Sequence, residues 1–190
     1  MGKPWCLQQV AVGVQGTGQF GETACLEGVS HGAGEGDRAR VLVTGGAGYI
    51  GSHTVLQLIG AGHEPVIGDD FSNSDRAVVG RLAMLAGREI AVHEVNLTNH
   101  LQTLDLMASG RFDAVIHFAG HKAVGESVAQ PLSYYDNNLR STLSLLTAMR
   151  DVGPRRMVFS SSATVYGPDA TSPLREGLPL SATSRTAGAR

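Results

Sequence analysis

The sequence predicts an α/β fold built on a doubly wound parallel sheet. Three observations point there. From Arg40 onward, short apolar runs alternate with amphipathic stretches of helix length. A glycine-rich turn, TGGAGYIG, follows the first apolar run directly and opens the first helical pattern. An acid, Asp69, closes the second apolar run.

The elements follow in order. RVLVT is a continuous apolar run, as a strand buried on both faces requires. YIGSHTVLQLIGAG places Ile50, Val55, Leu58 and Ile59 on one helical face and ends in a glycine stop. EPVIGD reads as a second strand, RAVVGRLAMLAG as a helix, EIAVHEV as a strand and HLQTLDLMASG as a helix. FDAVIHFAG is a strong fourth strand, PLSYYDNNLRSTLSLLTAMRDVG a long helix and RRMVFSSS a fifth strand. After residue 40 there is no low-complexity tract, and no repeat beyond the alternation itself.

Bulk properties narrow the class. The 190 residues suffice for one domain with a sizeable core. Apolar residues make up 42% and charged residues 17%, as in an ordinary globular chain. A net charge of −2 without a long basic run gives no nucleic-acid footprint. No apolar run approaches the roughly 18 residues that span a membrane. Cys6 and Cys25 are the only cysteines, so no disulfide framework is expected and a reducing cytoplasm is the expected setting. Residues 1–39 are glycine-rich and carry neither period. Their start is too glycine-broken for a secretory signal, and Cys6 stands where myristoylation needs Ser or Thr. A disordered leader is expected there, either upstream sequence from a misassigned start or an accessory tail. The folded domain is expected over 40–180.

Gly45, Gly48 and Gly51 give a G-x-x-G-x-x-G spacing between strand and helix. Glycines there let the backbone turn tightly and approach a pyrophosphate, while the helix N-terminus offers open N–H groups and a partial positive charge. Asp69 stands eighteen residues past Gly51, at the end of the second strand. A carboxylate there accepts from both ribose hydroxyls and repels a 2′-phosphate. The pattern is that of a Rossmann-like, dinucleotide-binding unit that favours NAD over NADP.

The three-glycine spacing, HFAGHKAVGESV, YYDNN and SSSATVYG together resemble the UDP-glucose 4-epimerases, which are extended short-chain dehydrogenase/reductases. The resemblance runs from about residue 40 to 180. Related sugar-nucleotide dehydratases carry Thr-Asp-Glu where this chain has Ala163-Thr164-Val165, which favours the epimerase reading. The resemblance implies galactose metabolism: inversion of C4 in UDP-galactose or UDP-glucose, through hydride removal to NAD and return to the other face of a 4-keto sugar.

It also implies roles. Tyr49 and Ile50 would line the pyrophosphate turn. Asp69, Asp70, Phe71, Ser72, Asn73 and Ser74 would hold the adenosine ribose and phosphate, with Asn96 and Leu97 near the adenine. Phe118, Ala119, Gly120, His121 and Lys122 would lie along the cofactor, Lys122 on the nicotinamide ribose and near substrate, with Asn137 on the NAD side. Ser162 would hydrogen-bond the reacting 4-oxygen as a catalytic group, with Thr164 beside it at the substrate. A hydroxyl next to a developing alkoxide can donate and then accept without carrying charge. Ser160 and Ser161 read instead as strand-end hydrogen-bonders, and Tyr134, Tyr135 and Tyr166 as packing residues. The seven histidines show no ligand spacing, so no metal site is expected. In place of the family's usual Asp after the third strand stands Asn96, and Asp70 stands where some members have Asn. A homodimer is the assembly implied.

The resemblance also expects a Tyr-x-x-x-Lys motif, usually introduced by Pro-Tyr-Gly, just after PLSATS. One helical turn sets that lysine beside the phenol, the family's base. The chain reads Arg185-Thr186-Ala187-Gly188-Ala189-Arg190 instead. Its only lysines are Lys3 and Lys122, so no tyrosine is followed four places on by lysine. Codons CCG-TAC-GGC-CGG-AGC-AAG encode Pro-Tyr-Gly-Arg-Ser-Lys; loss of one C from the first makes CGT-ACG-GCC-GGA-GCA-AG, which spells residues 185–190 when the next base is A or G. Residues 181–190 are therefore expected to be an aberrant, frameshifted tail, and the chain a form truncated before the substrate domain and inactive. The alternative is a non-catalytic NAD-binding module or redox sensor. Deleting residues 1–39 is expected to leave the thermal midpoint and NADH affinity unchanged; a melt and a fluorescence titration check this.

Overall fold

The computed structural model describes residues 38–166 together with 169, 171, 173–175, 177–179 and 181. The expected leader, apart from residues 38 and 39, and the expected tail beyond Ser181 lie outside the described residues.

Five parallel strands form one sheet in the order β3-β2-β1-β4-β5. They are β1 (Arg40–Thr44), β2 (Glu64–Asp69), β3 (Ala91–Glu94), β4 (Ala114–His117) and β5 (Met157–Phe159). The helices are α1 (Tyr49–Gly60), α2 (Ala77–Ala86), α3 (His100–Gly110), α4 (Val124–Ala129) and α5 (Pro131–Val152). A 3-10 turn covers Ala163–Tyr166.

The unbroken apolar run of β1 is explained by helices on both faces. Leu42 points into one core with Val66, Val115, Leu106, Met107 and Leu145. Its neighbours Val41 and Val43 point into the other, with Val55, Ile67 and Leu82. Side chains alternate across a strand, so a strand covered on both sides must be apolar at every position. β2 repeats the rule, with Val66 on one side and Ile67 on the other. The doubly wound sheet expected from the alternation is thus the one observed.

Local chemistry sets the helix ends. Asn99 caps α3, its side chain accepting from the Leu101 and Gln102 amides. Pro131 occupies the first turn of α5, where no amide is needed. Gly87 closes α2 in the left-handed region at φ 64°.

Three differences from the sequence reading have physical causes. β3 is shorter than EIAVHEV, because it is the sheet edge and Ala91, His93 and Glu94 face solvent. The short helix α4 was not foreseen, since VGESVA carries too few turns to show a period. On α5, Leu139, Leu143, Leu146 and Met149 recur at helical spacing but do not share one environment. Leu139 and Leu143 are 45% and 62% exposed, whereas Met149 is buried and Leu146 packs against the core. The inward stripe runs through Tyr134, Asn138, Ser141, Leu145, Ala148 and Met149, and its polar members hid it.

Leu145 has no exposed surface, so Leu145→Ala is expected to cost about 2–5 kcal/mol of folding free energy. Leu143→Ala, on the outer face of the same helix, should cost under about 0.5 kcal/mol. Denaturant titration of both variants checks the pair.

Candidate functional site

The chain leaves β1 toward β2 and β3 and returns on the other side as β4 and β5. Two neighbouring strands whose connections diverge leave a crevice at their carboxyl ends. Here β1 and β4 are those strands, and a cleft of about 400 Å³ opens there.

The glycine turn forms its floor. Gly45 has φ +69°, and a Cβ placed on it would lie 2.7 Å from the Ala119 amide nitrogen. At Gly51 a Cβ would meet the Gly45 carbonyl oxygen at 2.2 Å. A side chain at Gly45 would push the turn away from the β4 end, and one at Gly51 would push the turn away from α1. Helix α1 begins there without a side-chain cap, and its first turn holds no acid. Its N-terminal dipole therefore faces the cleft with no acid of its own first turn against it.

Asp69 binds the turn to the next loop. Its Oδ2 accepts the Ala47 amide at 3.0 Å, and its Oδ1 accepts the Phe71 amide at 3.0 Å and the Ser74 hydroxyl at 2.9 Å. Three bonds leave a carboxylate with remaining acceptor capacity. Asp70 is exposed and accepts from the Ser72 amide and hydroxyl. After β3, Asn96 Oδ1 accepts from the Thr98 amide and hydroxyl, which turns the chain and leaves Leu97 buried.

The far end is built from β4 and α5. The Phe118 and Ala119 amides both donate to the Thr44 carbonyl, at 2.9 and 3.1 Å. The His117 ring is buried, with Nδ1 2.6 Å from Thr44 Oγ1 and Nε2 3.1 Å from Thr142 Oγ1. His121 follows, its amide donating to Asn138 Oδ1 at 2.8 Å. The His121 ring meets Tyr134 edge to face at 5.2 Å. Tyr134 is a packing residue, as expected, and its hydroxyl donates to Glu126 Oε2 at 2.7 Å.

The cleft brings together almost every residue expected at the cofactor: the glycine turn with Tyr49 and Ile50, Asp69 and Asp70, Ser72 to Ser74, Asn96 and Leu97, Phe118 to Lys122, and Asn137. Phe71 is the exception. Its backbone turns through φ 57° and its ring lies 4.4 Å beneath the Arg76 guanidinium, which is paired with Glu94. Ser162 is half-buried beyond β5 and is not part of the lining, while Thr164 belongs to the 3-10 turn and its side chain lies outside what is described. Sequence reasoning missed Gly68, Val95, Thr98 and Ser141, which complete the lining, and Asn138 behind it. Gly68 carried a signal, since a glycine inside a strand often marks a close approach. Ser141 and Asn138 carried none, being polar residues in a long helix whose pattern does not report what lies opposite it.

Residues 41–187 match the NAD dependent epimerase/dehydratase family. The UDP-glucose 4-epimerase of Dictyostelium discoideum is 51% identical over 145 residues, 76% of this chain and 42% of that protein. The UDP-glucose 4-epimerase of Klebsiella pneumoniae is 52% identical over 128 residues, 67% of this chain and 92% of the relative. Among solved structures, UDP-glucose-4-epimerase from Stenotrophomonas maltophila, with bound NAD and formylated UDP-arabinopyranose, superposes with a TM-score of 0.77 at 41% identity. That match covers 80% of this chain and 45% of the other. The Bifidobacterium longum enzyme in complex with NAD+ and UDP gives 0.76 at 40%, over 79% and 45%. The chain thus spans less than half the length of three of these four relatives.

Burial, with the Glu126 hydrogen bond second, pushes the Tyr134 phenol above its ordinary value of about 10. The fold therefore favours the protonated phenol. That stabilisation is complete below pH about 10 and falls away as pH rises beyond it. Between pH 8 and pH 11 the wild-type denaturation midpoint should drop more than that of Tyr134→Phe, which titration at the two pH values checks.

Proposed function

This chain belongs to the NAD dependent epimerase/dehydratase family, and on that premise we propose that its cleft holds NAD as the cofactor-binding part of a UDP-glucose 4-epimerase. The observation that carries the reading is the gathering of four separate sequence segments around one cleft. They are the glycine turn, the acidic end of β2, the turn after β3 and the β4–α5 loop with Asn137.

The residues present fit the cofactor. The turn at Gly45 and Gly51 has no room for side chains and ends in an uncapped helix, which suits a pyrophosphate. Asp69 keeps acceptor capacity at the ribose end, and its charge disfavours a 2′-phosphate. Phe118 to Lys122 and Asn137 would receive the nicotinamide end. Bound there, NAD supplies the acceptor and donor for a hydride at sugar C4. Ser162 would hydrogen-bond the sugar 4-oxygen, with Lys122 and Thr164 nearby, and UDP-glucose and UDP-galactose are the substrates proposed. The names of the solved relatives, which carry NAD, UDP and a UDP-sugar, support the reading.

A second reading, an NAD-binding module without turnover, is favoured by one observation. No tyrosine in the 190 residues is followed four places on by lysine. A positioned acid–base group is worth about 10² to 10⁴ in rate. The outer face of α5, with Leu132, Leu139 and Leu143 exposed, supports pairing with a second copy. Among the described residues no helix is long and apolar enough to cross a membrane. Cysteine usage supports a cytoplasmic setting.

The chain is expected to bind NADH and to leave UDP-galactose unconverted. Loss of NADH binding in the wild type would sink the cofactor reading, and measurable conversion would sink the second. Gly51→Val should abolish NADH binding by displacing the Gly45 carbonyl. Asp69→Asn should weaken NADH about tenfold, the size of one charge-assisted hydrogen bond. Fluorescence titration reads both variants.

A further inference from the structure

Asn138 is a polar side chain buried to 3% exposure on the inward stripe of α5. Its amide group is committed to the main chain of one residue. Oδ1 accepts the His121 N–H at 2.8 Å, and Nδ2 donates to the His121 carbonyl at 3.1 Å. That is the pair of bonds a neighbouring strand would offer. Residues 118–123 lie in neither helix nor strand, so Asn138 supplies there what a ladder supplies elsewhere. The same Oδ1 also accepts from Asn137 Nδ2 at 3.1 Å, which orients the cleft-lining amide.

The clamp is itself anchored. The Asn138 carbonyl accepts from Thr142 Oγ1 at 2.8 Å, and that hydroxyl meets His117 Nε2 at 3.1 Å. His117 Nδ1 lies 2.6 Å from Thr44 Oγ1. A bonded chain therefore runs from the end of β1, through β4, to α5 and into the loop. From this geometry we infer that Asn138 is a positioning residue that sets how the nicotinamide end of the cofactor is gripped. It acts through the backbone of His121 and its neighbours and through the Asn137 amide, because Asn138 is not part of the cleft lining. The inference rests on the NAD reading proposed above.

A purely structural role would lower stability without altering the ratio of two ligands' affinities. The test therefore uses two ligands on the full chain: NADH, and ADP-ribose, which lacks the nicotinamide. The wild type should bind NADH more tightly. Asn138→Ala should weaken NADH about tenfold, as the loss of a buried hydrogen-bonded pair predicts, and change ADP-ribose by less than about twofold. Asn138→Asp keeps the acceptor for the His121 amide and loses the donor to its carbonyl, and should act in the same direction. Equal weakening of both ligands, or an unchanged NADH affinity, overturns the inference. A wild type that binds ADP-ribose as tightly as NADH overturns it too and leaves the cofactor reading standing. A wild type that binds neither ends both. Should the variants fail to fold, hydrogen exchange of the wild-type chain decides. The His121 amide should exchange slowly, and exchange at the rate of an unstructured amide overturns the clamp.

Discussion

The cleft depends on one close backbone contact. The turn after β1 lies so near the start of the β4–α5 loop that Gly45 has no space for a Cβ. The Thr44 carbonyl takes both the Phe118 and the Ala119 amide, and Gly45 donates to Gly68 at 2.8 Å. β1, β2 and β4 are thereby drawn together at their carboxyl ends by main-chain bonds, with the buried Thr44 and His117 side chains adding a link between β1 and β4. Asp69 extends the arrangement toward the turn and Asn138 toward the loop. A polar group pre-arranged in this way needs little reorganisation when a charged ligand arrives.

The sheet and the cleft were largely legible because they impose strict local demands. A strand covered on both faces must be apolar throughout, and Val41, Leu42 and Val43 announce β1 without help from the rest of the chain. A turn that grips a pyrophosphate must lack side chains, and Gly45, Gly48 and Gly51 announce that. The illegible parts rest on tertiary partners. Phe71 sits among cleft residues in sequence but turns its ring toward Arg76, because the Phe71 backbone, not its side chain, serves Asp69. Asn138 and Ser141 are inward although polar, because the loop and the cleft they face are polar. No periodicity in α5 alone reports what lies opposite it.

Helix α5 illustrates how one element serves two purposes. Its C-terminal half is a core helix: Leu145, Ala148 and Met149 pack with Leu106, Met107 and Met157. The N-terminal half is a polar scaffold for the β4–α5 loop, with Tyr134 under the His121 ring and Asn138 on its backbone. The apolar half fixes where the helix lies, and the polar half uses that placement. A loop anchored this way inherits the rigidity of the core at a distance of a few turns.

The divergence of the chain at β1 and β4 has a thermodynamic consequence. The two halves of the sheet, β1 to β3 on one side and β4 with β5 on the other, meet along a single strand pair. A molecule lying in the cleft touches both halves at once, so it acts as a non-covalent staple across that seam. Its binding energy then enters the folding equilibrium directly, about 2.7 kcal/mol at a ligand concentration one hundred times Kd. Stability and occupancy become one quantity.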